Sequence, residues 1–245
     1  MKLQNLLKTA LDIIFPPQCV SCIKKLEAAE TILCKSCLGS IILNSSLYCP
    51  ICNRRLYLAK TVCHTEAKCI LGAASSYEIK AVRDLVHALK YNHVKVTALL
   101  IAEIIKKYLM PLIANSTNQS IGQIKYFTVL PIPLHPQRER ERGFNQAVLI
   151  AESLKNTIAP IIHVTTSKAL IRNKNVPSQI SFSSYKERKE NVSNVFEVTT
   201  YEEIIGKNIL LIDDVATSNA TINEAARVLK EAGAKKIIAL VFAKA

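Results

Sequence analysis

The sequence predicts an α/β protein, a parallel sheet flanked by helices on both faces, preceded by a small cysteine-rich module. Three observations carry that expectation. All eight cysteines fall between Cys19 and Cys69, and none follows. From Tyr77 onward, stretches with apolar residues at helical spacing alternate with short apolar runs of strand length. Near the end of the chain an apolar run, 208–212, leads directly into two adjacent acids, Asp213 and Asp214, then a small polar loop and a helix. Strands alternating with helices imply parallel pairing, because each return to the same edge of the sheet needs a crossover.

The elements follow in order. Leu3, Leu6, Leu7, Ala10, Leu11 and Ile14 sit at helical spacing, so 1–18 reads as a short amphipathic helix. Residues 19–72 form the cysteine-rich module and 73–245 the α/β domain. Val82, Leu85, Val86 and Leu89, then Leu99, Leu100, Ile104, Ile105 and Leu109, mark two helices, the second expected to stop at Pro111. A polar loop is expected over 115–123, a strand over 127–132, a helix over 144–154 and a strand over 161–164. Residues 173–191 are polar and irregular. A buried strand over 208–212, a helix over 221–232 stopped by Gly233, and a strand over 237–242 complete the chain.

Composition narrows the class. With 245 residues and 49% apolar content the chain can bury a core, which excludes global disorder. The net charge of +13 and pI of about 9.4 favour polyanionic partners: nucleic acid, anionic lipid or phosphorylated metabolites. Lys8 and Asp12 interrupt the first apolar stretch, which is too short to span a bilayer, so neither a secretory leader nor a transmembrane segment is expected. The expected location is the cytoplasm, where paired cysteines read as metal ligands rather than disulfides.

Three CxxC pairs are present: Cys19 and Cys22, Cys34 and Cys37, Cys49 and Cys52. Two thiolates separated by two residues can turn both sulfurs onto one metal, and two such knuckles complete a tetrahedral zinc site. Cys19, Cys22, Cys34 and Cys37 form the leading tetrad. Cys63 and Cys69, with His64 beside the first, are expected to complete a second site with Cys49 and Cys52. Four thiolates leave no open coordination position, so the role is structural.

The segment from Ile209 to Thr221 carries the most chemistry. Ligands bind at the carboxyl ends of strands in such sheets. Backbone N–H groups at a helix start suit a phosphate. Thr217, Ser218 and Thr221 add hydroxyls, and Asp213 and Asp214 can accept from two adjacent sugar hydroxyls. An anion at one end and a diol at the other describe a ribose 5-phosphate. The alternative is a strand edge with Ser218 or Thr221 as helix cap. No GxxxxGK[ST] loop is present.

This segment resembles the phosphoribosyl pyrophosphate (PRPP) signature of type I phosphoribosyltransferases, an apolar strand followed by Asp-Asp and a Thr/Ser-Gly-x-Thr loop. Asn219 stands where that family has Gly; Asn best tolerates left-handed backbone after Gly. Val129 to Pro136, then Arg138, Arg140 and Arg142-Gly143-Phe144-Asn145-Gln146, resemble the "PVPLH…R…RGFNQ" block of the ComF family of competence proteins. Arg172, Gln179, Arg188, Asn191 and Phe196 resemble that family's "R…T..Q…R..N…F" stretch, with Val176 at the Thr position. Tyr77, Lys90 and Tyr91 resemble its "Y…LKY" pattern.

The resemblance implies a type I phosphoribosyltransferase-like domain behind a double zinc ribbon. It implies PRPP binding by Asp213, Asp214, Ala216, Thr217, Ser218, Asn219, Ala220 and Thr221, with Arg138, Arg142 and Arg188 on the pyrophosphate side. Magnesium accompanies PRPP in that family. The resemblance further implies single-stranded DNA and other competence proteins as partners, with any membrane association made through them. A metabolic transferase acting on an unidentified acceptor is the other expectation. Three residues follow Phe242, so no C-terminal hood for a purine or pyrimidine is expected; only 76–113 is expected to cover the site.

Overall fold

The computed structural model describes residues 16–56, 63–91, 96–114, 124, 126–173 and 195–245. Residues 1–15 of the amphipathic helix expected over 1–18, the loop expected over 115–123, and Val176, Gln179, Arg188 and Asn191 lie outside the described residues; 16–18 are not helical.

Strand β8, Asn208–Ala216, shows how the sheet is built. Leu210 and Ile212 pack into one core and Ile209 and Leu211 into the other, the period-two alternation of a strand covered on both faces. The neighbours are β9 (Lys236–Lys244) and β4 (Tyr126–Pro131), both parallel to it. Beyond β4 lies β5 (His163–Thr166), and beyond β9 lies β3 (Ile70–Ser76), again parallel. Two short strands, β1 (Leu47–Tyr48) and β2 (Arg55–Leu56), extend the β3 edge antiparallel. The full order is β2-β1-β3-β9-β8-β4-β5. A separate antiparallel pair joins β6 (Leu170–Arg172) to β7 (Phe196–Val198).

The helices divide between the faces. After α1 (Lys35–Gly39) in the cysteine-rich module come α2 (Lys80–Tyr91) and α3 (Thr97–Ala114). These two, with α5 (Gln146–Ile158), cover one face through Leu85, Ile101, Ile105, Ile150 and Leu154. Helix α6 (Ala220–Glu231) covers the other with Ile222, Ala225, Ala226 and Leu229. Helix α4 (Pro136–Arg142) is short and charged.

Several expectations change in detail. Helix α3 runs through Pro111 to Ala114 rather than stopping there. Pro111 removes one hydrogen bond in the last turn, and the packing of Met110, Leu112 and Ile113 on the core outweighs that loss. The run of arginines and glutamates at 138–142 lies in the helix α4, which begins at Pro136. His135 accepts from the Gln137 N–H at its start, Pro136 occupies the first turn, and Gly143 ends it with φ 77°. Strand β3 spans 70–76 and so crosses the boundary expected at 72/73: the cysteine-rich module is stitched to the sheet edge rather than strung beside it.

Further contacts secure that junction. Tyr108 of α3 donates to the Ser46 carbonyl at 2.7 Å, and the Asn44 amide donates to the Ala73 carbonyl at 2.9 Å. Gly72 makes room for them: a Cβ there would stand 2.7 Å from Leu240 Cδ2 and 3.2 Å from the Tyr108 ring. Gly72→Ala should therefore overpack the interface and cost about 1–3 kcal/mol, read as a lowered denaturation midpoint. An unchanged midpoint would mean that Tyr108 can withdraw freely.

Candidate functional site

The cysteine-rich module holds two four-ligand clusters. The sulfurs of Cys19, Cys22, Cys34 and Cys37 all lie within 4.8 Å of one another, as do the ligand atoms of Cys49, Cys52, Cys63 and His64. Cys22 and Cys34 sulfurs are 3.6 Å apart; Cys52 and Cys63 are 3.2 Å apart; His64 Nδ1 is 3.5 Å from Cys49 and 3.3 Å from Cys63. Tetrahedral ligands at Zn–S near ~2.3 Å stand ~3.8 Å apart, so both clusters need only slight opening to hold zinc. Each turn is closed alike. The Ile23 N–H donates to the Cys19 carbonyl and the Asn53 N–H to the Cys49 carbonyl, both at 2.9 Å, with Ile23 and Asn53 left-handed at φ 64° and 60°.

The expectation that Cys69 completes the second site is corrected. Cys69 is buried with Leu71 and Ala73 in the α6-side core, outside the cluster, and His64 supplies the fourth ligand atom. Burial, and secondarily the Cys49 sulfur, push the Cys69 thiol up to about 12, so it remains a neutral apolar filler. Cys19 differs: burial would raise its thiol, but backbone hydrogen bonds from Cys34, Cys22 and Ser21 prevail and lower it to about 6, which favours the ligating thiolate.

The segment from Asp213 to Thr221 lies elsewhere, where the strand order reverses. From β4 the chain moves outward to β5; from β8 it moves to β9 on the opposite side. The carboxyl ends of β4 and β8 therefore open a crevice, and it forms a cavity of about 440 Å³. Ile132, Pro133 and Leu134 line one side. Asp213, Asp214, Ala216, Thr217, Asn219, Ala220 and Thr221 line another; Ser218 does not. Arg138 and Arg142 face the same cavity from α4, whereas Arg188 is outside the described residues.

Two further cations line it that the sequence reading did not select. Lys90 comes from the end of α2 and Arg172 from the end of β6. Lys90 Nζ lies 2.7 Å from Asp214 Oδ2, an ion pair by proximity rather than a well-directed hydrogen bond. Burial disfavours the Lys90 ammonium, yet Asp214 outweighs it and holds the pKa above the usual value. Arg172 is pushed down by burial and by the neighbouring charge of Arg138, and its Nε is buried without a hydrogen-bond partner among the described residues. Arg142 donates to Gln146 at 2.6 Å and stands 5.7 Å from the Tyr91 ring centre. The resemblance already marked Lys90 and Arg172, so a signal existed; what it lacked was direction.

Of the acid pair, Asp213 is half-buried at the cavity. Asp214 is buried and its Oδ1 accepts from the Val215 N–H at 2.9 Å. Asp213 Oδ1 accepts from the Asp214 N–H at 2.9 Å. Burial, and then the Asp214 charge, push Asp213 up to about 8. Four basic side chains thus face two carboxylates, and the cavity is net positive. The lining therefore offers cationic groups that can pair with an anion and carboxylates that can accept from hydroxyls.

Fold and site together define a class: a phosphoribosyltransferase-type sheet with a net-positive cavity at its switch point, edged by a double zinc ribbon. Residues 150–245 match the family model of the phosphoribosyl transferase domain, and residues 10–70 that of the double zinc ribbon domain. That ribbon and the two clusters support structural zinc. The chain is 37% identical over 120 residues to competence protein ComFC of Bacillus subtilis, which covers 49% of this chain and 45% of that one, less than half of the relative's length. It is 25% identical over 238 residues to competence protein F of Haemophilus influenzae, covering 90% and 93%. It is also 25% identical over 224 residues to the DNA utilization protein YhgH of Escherichia coli K12, covering 84% and 93%. The chain thus carries a double zinc ribbon domain ahead of a phosphoribosyl transferase domain, and the relatives it resembles over most of its length are named competence and DNA utilization proteins. Among the described residues no helix is long and apolar enough to cross a membrane.

Proposed function

We propose that the cavity binds PRPP with Mg²⁺ and that the protein serves the handling of single-stranded DNA in natural transformation. The observation that carries the ligand is Arg172. A buried guanidinium nitrogen without a partner, beside a second arginine, is costly unless an anion completes it. In this reading Arg138, Arg142 and Arg172 hold the pyrophosphate, the loop from Ala216 to Thr221 receives the 5-phosphate, and Asp213 and Asp214 accept from the ribose hydroxyls. Arg188 belongs to the same pyrophosphate side. Mg²⁺, a hard cation that keeps waters and takes phosphate oxygens, would neutralise the pyrophosphate with few protein ligands.

The DNA role is supported by the net charge of +13 and by relatives whose names are competence and DNA utilization proteins. A cytoplasmic location and contacts with other competence proteins go with it. The transferase reading has its own observation. The His87 and Tyr91 rings, 4.8 Å apart, line the cavity and offer a face to a planar acceptor.

Calorimetry with PRPP and Mg²⁺ should show binding that Arg172→Met weakens by about tenfold or more. PRPP heats absent from the wild type would end the ligand reading. Pyrophosphate release that rises with an added acceptor would favour transfer. Deletion of the gene in a competent host should lower transformation while leaving surface capture of DNA intact; unaffected transformation would remove the DNA role.

A further inference from the structure

Asn219 joins two parts of the molecule that the sequence holds far apart. Its backbone is left-handed, φ 59° and ψ 4°, at the start of α6. An Asn in that position ordinarily turns its side chain onto the first helix N–H groups. Here it makes no such cap. Its Nδ2 donates instead to the Pro50 carbonyl at 3.0 Å and to Asn53 Oδ1 at 2.8 Å. Asn223, one turn along α6, donates to the same Pro50 carbonyl at 3.2 Å.

Pro50 lies between Cys49 and Cys52, and Asn53 directly follows Cys52. Both partners are therefore part of the turn that presents two ligands of the second cluster. The Pro50 carbonyl can only accept, so the Asn219 amide must face it nitrogen first. That orientation leaves Asn219 Oδ1 buried without a hydrogen-bond partner. An orphaned buried acceptor costs about 1–3 kcal/mol. The two bonds to the turn offset that cost, and they exist only while the turn keeps its shape. The turn bends through a left-handed Asn53, and Cys52 and Cys63 of the cluster are exposed. A metal on Cys49, Cys52, Cys63 and His64 is what would hold it.

We propose that Asn219 is a positioning residue that makes the phosphate loop answer to the metal state of the second cluster. Loss of that metal frees Pro50 and Asn53, the link to Asn219 breaks, and the loop from Ala216 to Thr221 loosens. Among the described residues the side chain of Asn219 makes no hydrogen bond to the first cluster. Ser21, within it, is tied to Lys80 of α2 instead. The proposal rests on the reading of 216–221 as an anion-binding loop only for its effect on affinity; the mechanical link is independent of any ligand.

The test uses the full chain. Hydrogen exchange of the amides over 216–222 reads the link with no ligand present, and calorimetry with Mg²⁺ and inorganic pyrophosphate reads its effect. Cys63→Ser, which lowers zinc content at the second cluster, should speed exchange over 216–222 by about tenfold and weaken pyrophosphate binding severalfold. Cys22→Ser, which empties the first cluster, should leave exchange over 216–222 unchanged. Asn53→Gly and Asn219→Gly keep the left-handed backbone and cut the link from either side. Their effects should not add, and in the Asn219→Gly background Cys63→Ser should have little further effect on exchange. Equal loosening by Cys22→Ser, or full additivity of the two glycine variants, would overturn the proposal. Should pyrophosphate bind no variant at all, the anion reading of the loop fails while the exchange cycle still decides the link. Where Cys63→Ser folds poorly, stepwise chelation of the wild type and of Asn219→Gly gives the same comparison.

Discussion

Withdrawal of zinc should cost this protein its cysteine-rich module as a folded unit. Metal analysis of protein prepared under reducing conditions without chelator is expected to give two zinc ions per chain, one for each four-ligand cluster. Structural zinc contributes on the order of 10–16 kcal/mol of binding energy at neutral pH, comparable with or larger than the roughly 5–15 kcal/mol by which a whole domain is stable. Regular structure within the module is scant: among the described residues its strands β1 and β2 have two residues each and its helix α1 five. Because β1 pairs with β3, unravelling the ribbon should also expose the sheet edge and lower the thermal midpoint of the rest. The ligand assignment is tested one residue at a time. Cys69→Ala should keep two zinc ions, whereas Cys63→Ser and His64→Ala should each leave one. A preparation with no zinc would sink the metal reading altogether, and loss of a zinc ion on Cys69→Ala would restore Cys69 as a ligand.

The acid pair should separate stability from binding, with opposite signs for its two members. Asp213 rests at about 8 in the folded protein against an ordinary value of 3.8. The folded state thus holds a proton that the unfolded chain has already lost, and between those values stability falls as pH rises. Asp213→Asn removes that penalty and should raise the thermal midpoint at pH 8 while changing it little at pH 4. Asp214 behaves otherwise. It is the buried partner of Lys90, and Asp214→Asn leaves the ammonium without its counter-ion, a loss of about 3–5 kcal/mol where such pairs are well buried. Lys90→Met in the same chain should recover part of that loss. Neither route should recover ligand binding: the double variant Asp213→Asn, Asp214→Asn is expected to weaken PRPP by about 2 kcal/mol or more, close to thirtyfold. Unchanged affinity by calorimetry would refute the proposed roles of both carboxylates. Asn219→Gly tests the loop departure in the same assay; tighter binding would make Asn219 a compromise between the loop and its tie to the ribbon.

The sequence by itself determined what local pattern can carry. The β8 run, the α6 helix with its stop at Gly233, the adjacent acids and the CxxC pairs are all encoded within a few residues. Period, cap and spacing reveal them because backbone geometry repeats on that scale. The left-handed conformation at Asn219 was legible for the same reason, since few residues accept it. Tertiary structure alone decided the rest. Strands of two residues, such as β1 and β2, have no period to read, and only pairing with β3 made them strands. Cys69 and His64 lie five positions apart and both are plausible ligands; burial sent one into the core and left the other at the cluster. Lys90 and Arg172 point into one cavity because α2 and β6 end at the same crevice. The tie from Asn219 to Pro50 spans 169 positions of sequence, and no local energy term encodes it. It exists because the sheet brings the ribbon edge and the phosphate loop side by side, where a buried amide has to find its hydrogen-bond partners.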